Sequence, residues 1–572
     1  MNPKILFTTT TTPSQRILGF AATDQMSFRL TRGQELFVLR QHTHSSPLHL
    51  LAQNIDGASV VLENPALDDF RRELAHGYDV VAIGFESVNV ERLFEMATLV
   101  RRHAPETKII VGGYGALCMP QMLEEGRWEG LLDGVCHGEG ISYLRRLLGQ
   151  APTRDVKSRL PKEGSSLPWL SPRPIGTMGI ILSGLGCTQR CPFCATSAST
   201  GGTYVEVMNA RQIAAAMQVY WDHSPFTNAV SIYDENFLDQ RDKVLELGRL
   251  LQADERHGLR DYNYSAFGSL KAVARYDAEE LLLTGLDQLW VGVESKFSAL
   301  EKTQQRTAAD IFPFLHSIGI KTIGSWIIGQ NHQSPANIAE DLDYFVSLEP
   351  TFAQLSVLGV FPGTALWATE KKAGRLPAKV PWGEFHLYGE NFVAKNFTHT
   401  EMLEVLDGGY RRLYREQGPW LTKTLEANLN GYEFCRRARH PLLQTARAEF
   451  FRKRSQSYVP LLKTALAMAE TDRARSRLVN LMRRYGEIFG QATPGEEKLA
   501  DAILKKAEEE VQRRRLSPGP EAREEPLRRY TYAAAAERVA GKPYSVEYPK
   551  SAAASRHGAN THKEDSDAVA TP

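Results

Sequence analysis

The sequence predicts an α/β protein in three parts: a doubly wound parallel sheet over residues 1–150, a partial barrel of six β/α units over 175–380, and a helical region over 381–515. Three observations predict it. Strand-like runs alternate with amphipathic helical runs from Lys4 to Leu148, the alternation resumes at Met178, and it gives way to helical periodicity alone after about Pro381.

In the first part, strands are expected at Lys4–Thr9, Ala58–Leu62, Asp79–Phe85, Lys108–Gly112 and Gly134–Cys136. Helices are expected between them at Leu48–Ile55, Leu67–His76, Glu91–His103 and Tyr143–Leu148, where apolar residues recur three and four positions apart. Five strands with these crossovers make a flavodoxin-like domain. Residues 151–174, rich in Pro, Ser and Lys, read as a linker. The second part offers strands at Met178–Ser183, Ala229–Tyr233, Asp261–Phe267, Gln288–Val293, Lys321–Ile328 and Gln354–Val360. Chemistry in such barrels sits at the C-terminal ends of the strands. The helical region reads as a cap carrying Tyr410, Tyr414 and Trp420, and residues 516–572 read as an extension with a disordered tail at about 551–572, of which no chemistry is expected.

Composition narrows the function. In 572 residues, 42% are hydrophobic and 24% charged, and 68 basic residues nearly balance 67 acidic ones, so no nucleic-acid footprint is present. No segment is long and apolar enough to span a bilayer, and Thr8–Thr12 interrupts the only early apolar run. Six cysteines in so long a chain do not make a disulfide scaffold, which points to a reducing cytoplasm.

Three of those cysteines fall in Cys187-Thr-Gln-Arg-Cys191-Pro-Phe-Cys194, a loop directly after a predicted strand. Four irons need four ligands, so three thiolates leave one iron open for a substrate or cofactor. Structural zinc wants four closed ligands, and no second Cys or His pair lies nearby. Gly184, Gly186 and Pro192 suit a chain that wraps an inorganic core. Cys118, Cys136 and Cys435 read as thiols without a ligand role.

The CxxxCxxC loop, with an aromatic residue before its last cysteine, resembles the signature of the radical S-adenosylmethionine superfamily. The resemblance implies a 4Fe–4S cluster on Cys187, Cys191 and Cys194 whose open iron chelates S-adenosylmethionine and whose electron releases a 5′-deoxyadenosyl radical. Further segments follow in order along the barrel. Tyr233-Asp234-Glu235-Asn236-Phe237 is similar to the acidic second-strand motif of members that carry a cobalamin domain, and Val291-Gly292-Val293-Glu294-Ser295 resembles the fourth-strand segment whose carboxylate contacts the cofactor. Gly324-Ser325-Trp326-Ile327-Ile328-Gly329 resembles the fifth-strand motif that packs on adenine, and Phe361-Pro362-Gly363-Thr364 the turn after the sixth. On this resemblance Asp234, Glu235, Ser265, Glu294 and Ser325 are the expected S-adenosylmethionine contacts.

Residues 1–149 resemble the cobalamin-binding domain of one class of these enzymes, class B. The matching pieces are Tyr78–Phe85, then Ser87 and Asn89, then Val111-Gly112-Gly113-Tyr114-Gly115, then Val135-Cys136-His137-Gly138-Glu139-Gly140. Glycines at successive strand ends let backbone approach a flat ligand. Ser87, Asn89, Gly112, Gly113, Tyr114, Gly115, Gly138, Glu139 and Gly140 are thus the expected cobalamin contacts. The Asp-x-His-x-x-Gly loop that supplies a lower cobalt ligand in many cobalamin proteins is absent, so the cobalt is expected to lack a histidine lower ligand; His42, His44 and His49 read as ordinary polar histidines, with an unconventional cobalt ligand as the alternative.

The resulting expectation is a cobalamin-dependent radical methyltransferase acting on an unactivated carbon of a lipid, peptide or secondary metabolite, with a flavodoxin or ferredoxin as electron donor. The alternatives are cyclisation, carbon–carbon coupling or rearrangement with the same cofactors, and a non-catalytic iron–sulfur or electron-transfer protein. The acidic and glycine motifs of the barrel argue against the last, because electron transfer needs no S-adenosylmethionine site.

Overall fold

The structure is a computed structural model describing residues 3–22, 25–174, 176–223, 227–300, 307–516, 524–532 and 545–547. The tail expected to be disordered, 551–572, lies outside the described residues.

The first sheet contains β1 (Lys4–Thr9), β2 (Ala58–Glu63), β3 (Val80–Gly84), β4 (Lys108–Gly112) and β5 (Gly134–Val135). They run parallel in the order β2-β1-β3-β4-β5, the flavodoxin-like order. Its strands are apolar on both faces, as a sheet covered on both sides requires. Leu6, Val81 and Val111 face a core with Phe70, Leu74, Leu93 and Ala97, whereas Ile5, Phe7 and Ala82 face one with Leu48, Ala52 and Leu144.

The second sheet is a half-barrel of six parallel strands, each paired with the next: β6 (Gly176–Leu182), β7 (Thr227–Tyr233), β8 (Tyr264–Phe267), β9 (Leu286–Glu294), β10 (Lys321–Ile328) and β11 (Phe352–Val357). Of the six, the fifth keeps its expected bounds, and the largest shifts are at the start of the third and the end of the sixth. Asp261 belongs to a helical turn, Gly258–Asp261, entered through Gly258 at φ +56°, so the third strand begins at Tyr264; the sixth ends at Val357. Leu289, Val291 and Val293 point outward into the helical layer, which leaves Trp290, Gly292 and Glu294 on the lumen side.

Four segments join sheets that the sequence pattern does not assign them to. Glu163–Ser166, from the expected linker, pairs antiparallel with β6, and Arg40–His42 pairs antiparallel with Glu163–Ser166. The chain between β1 and the helix Ser46–Asn54 therefore leaves the first sheet and returns. On its way the Leu36 and Phe37 carbonyls accept hydrogen bonds from the indoles of Trp169 and Trp420 at 2.6 and 3.0 Å. From the C-terminal extension, β12 (Arg528–Tyr532) pairs antiparallel with β2, and β13 (Ser545–Glu547) pairs antiparallel with β12.

The helical region closes the N-terminal end of the barrel. Arg447, fully buried, donates to the Leu286 carbonyl at 2.6 Å and the Tyr262 carbonyl at 3.4 Å, and its guanidinium lies 4.2 Å from the Phe450 ring centroid. Beside it, Lys321 donates to Asp287 at 2.6 Å, a buried pair. This leaves the C-terminal strand ends to face the first sheet. No helix among the described residues is long and apolar enough to cross a membrane.

Glu163 yields the first prediction. Its buried carboxyl accepts from Gln41 Nε2 at 3.1 Å, and burial pushes its pKa up to about 7. The folded state thus holds a proton that the unfolded chain releases near pH 4.5, so stability falls as pH rises through that window. Glu163→Gln should flatten the pH dependence of the melting temperature between pH 5 and 8 and stabilise the protein at pH 8 by on the order of 1–3 kcal/mol. Thermal unfolding at both pH values checks it; an unchanged slope contradicts it.

Candidate functional site: a thiol loop between two sheets

The thiol loop leaves β6 through two glycines with distinct duties. Gly184 carries no Cβ because one would overlap the Asp234 carboxylate and the Tyr204 hydroxyl; at Gly186, φ +81°, one would overlap Thr200 and the Thr203 carbonyl. The loop then closes on itself. The Cys194 N–H donates to the Cys191 carbonyl at 3.0 Å, Ser197 Oγ donates to the Cys187 carbonyl at 2.7 Å, and the Ser197 N–H donates to Cys194 Sγ at 3.4 Å. Arg190, between the first two cysteines, sits at φ +50°.

All six cysteines are described, and none forms a disulfide; those of the loop are partly exposed. Among the described residues, the His/Cys/Asp/Glu group whose ligand atoms all lie within 4.8 Å is His44, His49 and Glu63. Three free, partly exposed thiols on one loop fit a multi-iron core with one iron left open.

The acidic motif follows β7. Asp234, 2% exposed, accepts at Oδ2 from Tyr204 Oη at 2.8 Å, Ser183 Oγ at 3.1 Å and Lys243 Nζ at 3.4 Å. Its Oδ1 is buried without a partner, an acceptor left for a ligand donor. Tyr204 and Lys243 are contributions that sequence reasoning missed, since neither stands in a motif. Glu235 points the other way. It accepts from Tyr114 Oη at 2.7 Å and lies beside the Gly186 backbone, and burial raises its pKa.

Tyr114 comes from the first sheet, so this hydrogen bond spans the two sheets. Tyr114 is 45% exposed, yet surrounding protein and the Glu235 carboxylate push its hydroxyl well above the ordinary pKa, with Thr196 and Cys194 as neighbours. Two further contacts close the junction. A Cβ on Gly363, φ +81°, would strike Leu117 at 2.6 Å, and the Leu366 N–H donates to the Pro192 carbonyl at 2.9 Å. The loop after β4, the thiol loop and the turn after β11 thus meet at one place.

Among the other expected residues, Glu294 ends β9 buried at φ +65°, beyond a register shift in its pairing with β10. A non-glycine residue in that region marks an over-determined position. Ser325 accepts from Trp290 Nε1 at 2.6 Å, and Ser265 donates to Ser231 Oγ at 3.0 Å. Trp290 stacks on Phe267, with centroids 5.2 Å apart, so the lumen has an aromatic wall.

In the first sheet, the glycines divide. Gly113, at φ +97°, and Gly115 are required by packing against the Phe85 carbonyl and the Phe85 ring, whereas a Cβ on Gly112 or Gly140 would press on Cys136 and on the end of the Leu51 side chain. Gly138, φ +81°, faces open space. Glu139 caps the helix Gly140–Leu147 through the Ile141 and Ser142 N–H groups at 2.5 and 2.8 Å, which accounts for it without a ligand. Ser87 Oγ lies 3.2 Å from Cys118 Sγ, and Asn89 Oδ1 accepts from Gln15 Nε2 at 2.7 Å.

No family model matches the chain. Over 370 residues it is 20% identical to the uncharacterized methyltransferase PH0819 of Pyrococcus horikoshii, covering 59% of this chain and 78% of that protein. Among solved structures it is similar to the radical S-adenosylmethionine methyltransferase TsrM from Kitasatospora setae with cobalamin and a 4Fe–4S cluster bound, at a TM-score of 0.50 and 15% identity over 80% of this chain and 100% of that one. The fold is shared with TsrM. The TsrM structure with tryptophan substrate and the analogue aza-SAM gives the same TM-score at 14% identity, over 90% of this chain and 100% of that one.

The loop generates a direct test. Anaerobically reconstituted protein should bind four irons, and Cys191→Ala should lose the cluster absorbance because the remaining two thiolates cannot hold it. Iron content unchanged in that variant would contradict the assignment.

Proposed function

We propose that the protein is a radical S-adenosylmethionine enzyme of the cobalamin-binding class that methylates an unactivated carbon of an organic substrate. In this reading Cys187, Cys191 and Cys194 hold a 4Fe–4S cluster, and Asp234, Glu235, Ser265, Glu294 and Ser325 receive S-adenosylmethionine. The loops after β3, β4 and β5 receive cobalamin, with Tyr114 and Gly138 facing it. When bound, these groups supply a transferable methyl group and a radical able to abstract hydrogen from carbon.

The observation that carries the reading is the meeting of Tyr114 with Glu235 and Cys194. Methyl transfer between two cofactors requires neighbouring sites, and the loop after β4 abuts the thiol loop. The chain's own residues orient and shield. Asp234 is fixed by three donors on one oxygen and offers the other, as a group receiving a cofactor amine or hydroxyl must. Phe267 and Trp290 wall the lumen and keep water from it. His44 and His49 are engaged with Glu63, which favours a cobalt without a histidine lower ligand.

The fold shared with TsrM and the sequence likeness to a methyltransferase support this assignment. The TsrM complex with tryptophan favours a small-molecule substrate. A flavodoxin or ferredoxin is the proposed source of electrons.

With methyl-deuterated S-adenosylmethionine and candidate substrates, the product should carry the label; turnover without incorporation would overturn the methylation reading. Glu294→Ala should weaken S-adenosylmethionine binding about tenfold or more, the loss of one charge-assisted hydrogen bond, while keeping the cluster spectrum. Calorimetric titration checks it, and equal affinity would return Glu294 to a purely structural role.

A further inference from the structure

We propose that the C-terminal segment 524–532 positions the loop that closes the cobalamin crevice of the first sheet; the inference rests on the cobalamin reading above. In the order β2-β1-β3-β4-β5 the connections change direction between β1 and β3, and ligands of such sheets bind in the crevice outside those strand ends. Residues 10–15 follow β1, Asn89 follows β3, and the Gln15–Asn89 hydrogen bond at 2.7 Å bridges the crevice.

The segment reaches this bridge from the far end of the chain. Arg528 pairs with Glu63 at the C-terminal end of β2, so the residues before it cross the ligand side of the sheet. There the Glu525 N–H donates to the Pro13 carbonyl at 2.8 Å, and Asn64 Nδ2 donates to the Pro526 carbonyl at 3.4 Å. Pro13 lies two residues before Gln15, so the anchor acts on the bridge through one short turn.

A buried polar hub fixes the segment. Glu63, 2% exposed, accepts from the Ser45 N–H at 2.5 Å and pairs with His44 Nδ1 at 3.0 Å, His49 Nε2 at 3.1 Å and Arg528 Nη1 at 3.4 Å. Tyr532 Oη lies 2.6 Å from His49 Nδ1 and Tyr530 Oη 3.1 Å from His44 Nδ1, while Arg529 holds Glu73 at 2.9 and 3.0 Å. His44, His49 and Glu63 have the residue types of a metal site, but the Arg528 cation already neutralises the single carboxylate, and a divalent ion there would be a buried excess of charge. The hub is a clasp. It buries Tyr530 and Tyr532 in the sheet core as it covers the β2 edge.

The test compares the full chain with truncations after residues 523 and 548 and with the double variant Arg528→Leu/Tyr532→Phe, each titrated with hydroxocobalamin by absorbance. The truncation after 548 should match the full chain. The truncation after 523 and the double variant should bind at least tenfold more weakly, keep the iron–sulfur absorbance, and show faster amide exchange in residues 10–15 than the full chain. If the shorter truncation fails to fold, the double variant decides. Unchanged cobalamin affinity, or weaker affinity with unchanged exchange at 10–15, would overturn the inference. A full chain that binds no hydroxocobalamin would overturn the cobalamin reading and this inference with it.

Discussion

The hydrogen bond from Tyr114 to Glu235 ties the ligand end of one parallel sheet to the ligand end of another, and the site geometry depends on it. Each sheet alone offers an ordinary strand-end crevice. Brought together, the loop after β4 and the thiol loop adjoin, with Leu117 packed against Gly363 and Pro192 bonded to Leu366. Glycine at 363 is forced twice over, by its positive φ and by the lack of room for a Cβ.

The opposite end of the barrel is built to stay shut. Arg447 satisfies two strand-start carbonyls and stacks against Phe450, and Lys321 pairs with Asp287 beside it. Charged groups partnered in this way are costly to bury but also costly to strip of their partners, which favours one seating of the helical region on the barrel. At the opposite strand ends Glu294 stands at φ +65°, a strained conformation that its buried surroundings must hold.

What the sequence makes legible follows from periodicity. Apolar runs such as Lys4–Thr9 and Lys321–Ile328 announce strands buried on both faces, and the structure keeps those very boundaries. Arg40–His42, Glu163–Ser166 and Arg528–Tyr532 are strands because an edge is available to them, and edge pairing leaves little mark on polar residues. Tyr530 and Tyr532 do alternate, but within a charged stretch. In the site, motif residues were visible as a set, whereas their partners Tyr204 and Lys243 were not, because contacts across separate loops have no fixed spacing. Glu139 shows the reverse: a motif position that the helix start accounts for by itself.

The central claim is that the thiol loop and the loop after β4 place an iron–sulfur cluster beside cobalamin. Electron paramagnetic resonance of the protein carrying both the reduced cluster and cob(II)alamin tests it most directly. The account predicts that each signal is broadened or relaxed faster by the other than in protein carrying one centre alone. A spectrum that is the plain sum of the two isolated signals would contradict it.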